Sequence, residues 1–246
     1  MTKAEIQFLR SLADKRTRDT EQLFIAEGSK LVEEIMASQL VVRNVYTTNA
    51  AMRGKNVTII DRKEMERITQ LKSANDTLAV VEQPHYSLNI DSLRGNLVLA
   101  LDGVQNPGNL GTIVRLADWF GIKDIICSRE CADCYNPKVV QATMGAILRV
   151  RIHYTDNLAE LLTCASKMDM PIYGTLLDGD NIYSAPITSS GIIVMGNEGR
   201  GLSDACRETL THRLYIPPYP ADAPTSESLN VAMATGIILA EFRRPR

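Results

Sequence analysis

Three separated stretches of this chain gather residue types that can hold a small ligand and handle a proton. The first runs Leu101-Asp102-Gly103-Val104-Gln105-Asn106-Pro107-Gly108-Asn109-Leu110-Gly111 and leads to Arg115. The second is Met195-Gly196-Asn197-Glu198-Gly199-Arg200-Gly201-Leu202-Ser203, and the third passes from Ile216-Pro217-Pro218 to Ser228-Leu229-Asn230. Glycines let a ligand approach the main chain and allow conformations closed to other residues. Arg115 offers a permanently charged planar fork of donors, suited to a phosphate. Glu198 either accepts main-chain N–H bonds in a tight loop or takes part in the chemistry, and both readings stay open. Ser228 and Asn230 also have a plain reading as N-caps of an interior helix. The three histidines, His85, His153 and His212, lie outside these stretches, so no imidazole acid–base scheme is indicated. No metal site is expected.

Two well-known phosphate loops do not fit. Gly196, Gly199 and Gly201 carry the glycine spacing of a dinucleotide fingerprint in reverse, and the Gly-Lys-Ser/Thr of a P-loop occurs nowhere.

Regular elements must bring the stretches together. Residues 4–14 read as a helix burying Ile6, Phe8, Leu9 and Leu12, followed by the basic turn of Lys15, Arg16 and Arg18. A helix over 29–38, strands over 41–46 and 57–60, a helix over 63–70 opened by an Asp61/Glu64 capping box, and a strand over 78–81 complete a small α/β unit. Residues 84–95 lack a sustained apolar period and read as a linker. Beyond them, strands at 97–101, 124–127, 150–153, 172–177, 192–195 and 214–216 alternate with helices at 112–120, 138–148, 158–168, 204–210 and 227–240. Gly121 is placed to close the first of these helices in a left-handed conformation. The last is apolar on nearly every side and is predicted to be buried. The alternation predicts a mainly parallel sheet with helices on both faces. The domains are therefore expected at 1–83 and 96–246, joined by 84–95. In such sheets ligands gather beyond the carboxyl ends of the strands, where all three stretches fall.

Composition narrows the partners. With 246 residues, 45% of them hydrophobic, the chain can build one large or two ordinary cores. A formal net charge of −2 excludes a generally basic nucleic-acid binder, so any such surface is a local patch. Lys15, Arg16 and Arg18 form the short basic cluster of the first third, either a solvated turn or a contact to RNA phosphates. No apolar run is long enough to span a bilayer, which argues against a membrane partner. Charges throughout residues 1–18 and an odd count of five cysteines fit a reduced cytoplasmic protein without a secretory signal.

In order and spacing, Asn109-Leu110-Gly111-x-x-x-Arg115, Met195-Gly196-Asn197-Glu198-Gly199-x-Gly201-Leu202, and Ile216-Pro217 with Ser228-Leu229-Asn230-Val231 resemble the three motifs of the SpoU, or TrmH-like, family of RNA ribose 2′-O-methyltransferases. Residues 1–83, with Phe24-x-x-Glu27-Gly28, look like the substrate-binding domain of members acting on ribosomal RNA. The resemblance implies S-adenosylmethionine as cofactor, a trefoil-knotted C-terminal domain and a homodimer. It implies RNA as partner, with ribosomal RNA favoured over transfer RNA; DNA is excluded because it lacks the acceptor hydroxyl. By the same resemblance Asn109, Arg115, Glu198, Ser228 and Asn230 are catalytic, and Thr175, Gly196, Ile216, Leu229 and Asn230 hold the cofactor. Arg115 also grips RNA, with Asn109 orienting it. A guanidinium stays protonated, so Arg115 reads as a clamp rather than a base. The chain departs from the family pattern at Pro218 and in the longer loop 218–226, which is left unassigned.

Two alternatives belong to other classes. One is an RNA-binding protein of the same fold without catalysis. The other follows from Cys127, Cys131 and Cys134, whose spacing is that of radical S-adenosylmethionine enzymes holding an iron–sulfur cluster. Against it, Cys131-Ala132-Asp133-Cys134-Tyr135-Asn136-Pro137 looks like an ordinary segment of the SpoU-type chain.

Overall fold

Short strands with continuous apolar runs, buried on both faces, build the first of two units. In the computed structural model, which describes residues 1–220 and 228–245, this unit comprises Met1–His85 together with Asp133–Leu148. Helix α1 (Lys3–Ser11) opens on a Thr2/Glu5 capping box, and α2 (Lys15–Glu21) restarts the helix behind the Asp14 cap. The single helix expected over 4–14 thus ends at Ser11, and α2 replaces the turn expected at Lys15, Arg16 and Arg18. Phe8, expected inside, is 39% exposed, so the buried face of α1 is Ile6 and Leu9, continued by Leu12. Strand β1 (Leu23–Glu27), α3 (Ser29–Ala37), β2 (Val42–Thr47), β3 (Val57–Ile59), α4 (Arg62–Ile68) and β4 (Thr77–Glu82) follow.

The strands form a sheet in the order β1-β4-β2-β3. Successive side chains of a strand point to opposite faces, and both faces are covered here. Leu23 and Ile25 pack with Leu9, Met65 and Ile68, whereas Phe24 and Ala26 pack with Val32 and Ile35. This second layer also contains Val140 and Ile147, and Tyr135 stacks on Phe24 with ring centroids 4.9 Å apart. A division of the sequence at 84–95 does not anticipate this excursion, in which residues 133–148 complete the core of the first unit.

The second unit comprises Tyr86–Ala132 and Arg149–Arg246. In chain order the remaining elements are β5 (Leu97–Leu101), α5 (Pro107–Trp119), β6 (Asp124–Ser128), α6 (Pro137–Thr143, within the excursion), β7 (Arg151–Thr155), α7 (Leu158–Ser166), β8 (Ile172–Asn181), β9 (Gly191–Met195), α8 (Asp204–Arg207), β10 (His212–Tyr215) and α9 (Val231–Phe242). The six strands are all parallel in the order β10-β8-β9-β5-β6-β7. Every residue of β5, β6 and β9 is buried, as a parallel sheet covered on both faces requires.

Among the boundaries that differ from those expected, four have a clear local reason. Helix α5 starts early because Asn106 caps it and Pro107, which lacks an N–H, occupies its first position. The helix expected over 138–148 stops at Met144 and Gly145, whose φ values of 51° and 89° are left-handed, before a short 3-10 turn. Strand β8 runs on to Asn181, where Gly179 allows the backbone of Leu214 to approach. Helix α9 starts at Val231 with Asn230 as its cap, and it is not buried all round: Met233 is 63% exposed. Gly121 does adopt the expected left-handed conformation after α5. Helix α9 packs on α5, where Gly236 leaves room for Leu116.

Strand order places the site. The chain leaves β5 towards β6 and β7, then returns to fill the opposite side with β8, β9 and β10. The loops after the neighbouring strands β5 and β9 therefore diverge from a switch point, where parallel sheets open a crevice.

Candidate active site

Asparagines build the walls of this crevice. The Asn106 side chain accepts the N–H groups of Gly108 and Asn109, which sets the first turn of α5. After β9, Asn197 and Gly201 exchange two main-chain hydrogen bonds of 2.9 Å, closing a tight loop. Asn197 Oδ1 accepts from the N–H of Gly199 and Arg200, while its Nδ2 donates to the Gly103 carbonyl at 2.7 Å. Asp102 Oδ2 accepts the Ser203 N–H at 2.7 Å, a second tie between the loops. Gly196 has no room for a side chain, because a Cβ would lie 2.4 Å from the carbonyl carbon of Gly201.

On this frame the three stretches meet. Asn109 Nδ2 donates to Glu198 Oε1 at 2.7 Å, and Asn109 Oδ1 accepts from Asn230 Nδ2 at 3.1 Å. Asn230 Oδ1 caps α9 by accepting the N–H groups of Ala232 and Met233. One relay, Asn230 to Asn109 to Glu198, thus joins the loops after β5, β9 and β10.

Beside the relay lies a cavity of about 490 Å³. Thr175, Gly196, Glu198, Ile216, Ser228 and Leu229, all named from the sequence, line it. Thr175 Oγ1 donates to the Val194 carbonyl at 3.3 Å, which fixes its methyl and hydroxyl at the strand edge. Val231 and Ile238 extend the apolar wall, and Arg200 and Arg207 add cations. None of these four has a role expected from the sequence, although Arg200 stands inside the second stretch. Arg207 lies 3.8 Å from Asp178, whereas the Arg200 guanidinium makes no hydrogen bond or ion pair among the described residues. An apolar wall, close main chain and charged groups of both signs match a nucleoside joined to an amino acid, the make-up of S-adenosylmethionine.

Several expectations need correction. Asn230 is not part of the cavity wall; its amide serves the helix cap and the relay. Asn109 does not orient Arg115, since both ends of its amide are taken by Glu198 and Asn230. Arg115 is exposed on α5 and makes no hydrogen bond or ion pair among the described residues. Arg18 cannot belong to an exposed basic cluster: it is 2% exposed, pairs with Asp133 at 2.5 Å and donates to the carbonyls of Leu12 and Ala13. Lys15 and Arg16 are exposed on α2, with Lys15 paired to Asp19. Cys127, Cys131 and Cys134 are buried, and Cys131 Sγ donates to the Leu101 carbonyl at 3.2 Å. Of the unassigned loop 218–226, residues 221–226 lie outside the described residues.

Comparison with known proteins bears on these loops. Residues 96–240 match the model of the SpoU rRNA methylase family, and residues 3–84 match that of the MRM3-like substrate binding domain. The 23S rRNA guanosine 2′-O-methyltransferase RlmP of Bacillus subtilis is 28% identical over 95% of this chain and 94% of its own length. A TrmH-family structure from Porphyromonas gingivalis superposes with a TM-score of 0.89 at 37% identity, covering 99% of this chain and 98% of that one. An AdoMet-bound rRNA methyltransferase from Sinorhizobium meliloti gives 0.86 at 28% identity, over 99% and 95% of the two chains. A TrmH/SpoU tRNA modifying enzyme from A. aeolicus gives 0.53 at 26% identity and covers 63% of this chain and 81% of that one.

Proposed function

The chain belongs to the SpoU rRNA methylase family, and from that premise we propose that it methylates a ribose 2′-oxygen in ribosomal RNA, on a guanosine as RlmP does. The observation that carries this reading is the Asn230–Asn109–Glu198 relay at the rim of the 490 Å³ cavity. When bound, S-adenosylmethionine supplies a methyl already activated by its sulfonium charge. The chain's own task is to hold donor and acceptor in line, which in favourable intramolecular models is worth about 7–11 kcal/mol.

Each loop has a part in that task. Ile216, Leu229 and Val231 offer the apolar wall for the nucleoside end of the donor, and the turn at Gly196 brings the main chain close. Asn109 fixes the start of α5 against the other two loops. Glu198 is the one carboxylate of the relay and takes the proton of the ribose hydroxyl. Arg115, exposed and without an anionic partner among the described residues, clamps the RNA phosphate beside the reacting sugar. Arg115→Lys is expected to bind S-adenosylmethionine normally and to lose at least about tenfold in turnover, because a point charge replaces a bidentate fork. Calorimetry with the cofactor and single-turnover methylation measure the two effects separately.

Ribosomal RNA is preferred to transfer RNA because RlmP matches nearly the whole chain, including the small unit, whereas the tRNA modifying enzyme covers 63% of it. The chain acts as a homodimer with a knotted C-terminal unit, in the cytoplasm. Support for the dimer comes from Trp119 at the end of α5, 83% exposed, and Met233 on α9, 63% exposed. Apolar side chains left bare on packed helices mark an association surface. Among the described residues no helix is long and apolar enough to cross a membrane. Mapping ribose methylation in RNA from cells with and without the gene tests the function. A 2′-O-methyl guanosine lost from ribosomal RNA is expected, and an unchanged map overturns the reading.

A further inference from the structure

Methyl transfer needs a place for the acceptor as well as the donor, and a second cavity lies beside the first. It encloses about 330 Å³ and is bounded by the segments after β5 and β6 and the start of α7. It shares Asn197, Arg200 and Gly201 with the donor cavity, so the loop after β9 borders both. We propose that this second cavity receives the base of the acceptor nucleotide and selects guanine, with Glu130 reading its two N–H donors and Arg200 its carbonyl oxygen. The proposal rests on the acceptor being an RNA nucleotide, as argued above.

The chemistry of the wall favours guanine over the other bases. RNA is read on splayed bases whose Watson–Crick edge enters a pocket. Guanine presents N1–H and N2–H side by side next to O6, a donor–donor–acceptor edge. A carboxylate accepts two parallel N–H bonds, and a guanidinium donates to the carbonyl. Adenine presents a bare N1 lone pair where guanine has its proton, so it would face the carboxylate with like charge. Uracil has one N–H and cannot fill both oxygens.

Neither the Glu130 carboxylate nor the Arg200 guanidinium is held in an ion pair among the described residues. Hydrogen bonds from the Ser128 hydroxyl and its own main-chain N–H hold the Glu130 carboxyl below the usual range, so it is ionised at neutral pH. Glu130 is exposed and forms no ion pair among the described residues. Asp156, on the same wall, is already paired with Arg129. Asp102 is engaged by the Ser203 N–H. Arg200 reaches both cavities and is held at its backbone by Asn197 Oδ1.

The test uses the whole protein loaded with S-adenosylhomocysteine and titrated with guanosine, inosine and adenosine 5′-monophosphates, followed by the amide signals of Gly103 and Ser203. Guanosine monophosphate is expected to shift both signals and to bind about tenfold tighter than inosine monophosphate, which lacks the N2 donor. Adenosine monophosphate is expected to bind more weakly still. Glu130→Gln, at an exposed position, is expected to fold normally and to lose the preference for guanosine over adenosine monophosphate. Equal binding of the nucleotides, unmoved signals, or a preference unchanged in Glu130→Gln would overturn the proposal. Those results leave the enzyme reading intact if S-adenosylhomocysteine still binds and ribosomal RNA is still methylated. Failure of both of the latter would sink that reading instead.

Discussion

Asn109 has no charge and no intrinsic reactivity, yet both atoms of its amide are committed, one to Glu198 and one to Asn230. Removing a side chain with two such bonds leaves a carboxylate and an amide searching for partners, at about 0.5–1.5 kcal/mol for each neutral bond and more where a charge is involved. Asn109→Ala is therefore expected to lower turnover by about ten- to a hundredfold, with the affinity for S-adenosylmethionine changed by less than about threefold. Asn230→Asp separates the two duties of its residue. It keeps the oxygen that caps α9 but cannot donate to Asn109, so turnover should fall while the melting temperature stays near that of the parent. A large drop in melting temperature would show that the cap, not the relay, governs the phenotype. The residues of the relay were legible as types within their stretches. Their partners were not, because contacts across 89 and 121 residues of sequence leave no periodic trace.

Strand and loop positions in the second unit follow from apolar runs ended by glycine, asparagine and proline, and these were readable. What escaped were features set by single backbone angles: the restart of α2 behind Asp14 and the end of α6 at Met144, a residue type that seldom adopts φ of 51°. The loop after β9 carries a sharper test of element geometry. In Gly196→Ala the new methyl meets the main chain of Gly201 at 2.4 Å, where no rotamer change relieves the clash. The loop must open, and cofactor affinity is expected to fall by at least about tenfold, measured by calorimetry. Gly236→Ala on α9 is the matched control. Its methyl would meet Leu116 at 3.5 Å, an ordinary contact, and affinity and stability should hold.

A buried carboxylate, Asp124, ties stability to pH. Burial pushes the Asp124 carboxyl up, but hydrogen bonds and charge from Arg151 and His153 overcome this and hold it below its ordinary value. A carboxyl depressed on folding contributes stability above its unfolded pKa of about 3.9 and loses it as the pH falls through the folded value. Asp124→Asn is thus expected to lower the melting temperature at pH 7, with the gap to the parent closing in the acid range below about pH 4. A gap of constant size would assign the effect to packing alone.

The covalent path of the chain bears on how such a protein diversifies. It passes from one unit to the other at residues 85–86, 132–133 and 148–149. Residues 1–84 therefore cannot be exchanged as a cassette. A recombinant carrying a foreign amino-terminal segment would inherit Val140, Ile147 and Tyr135 from the old sequence, fitted to the old Phe24 and Val32. New target preferences are expected to arise by paired substitution across this seam, and successful chimeras to be those that transplant both segments together.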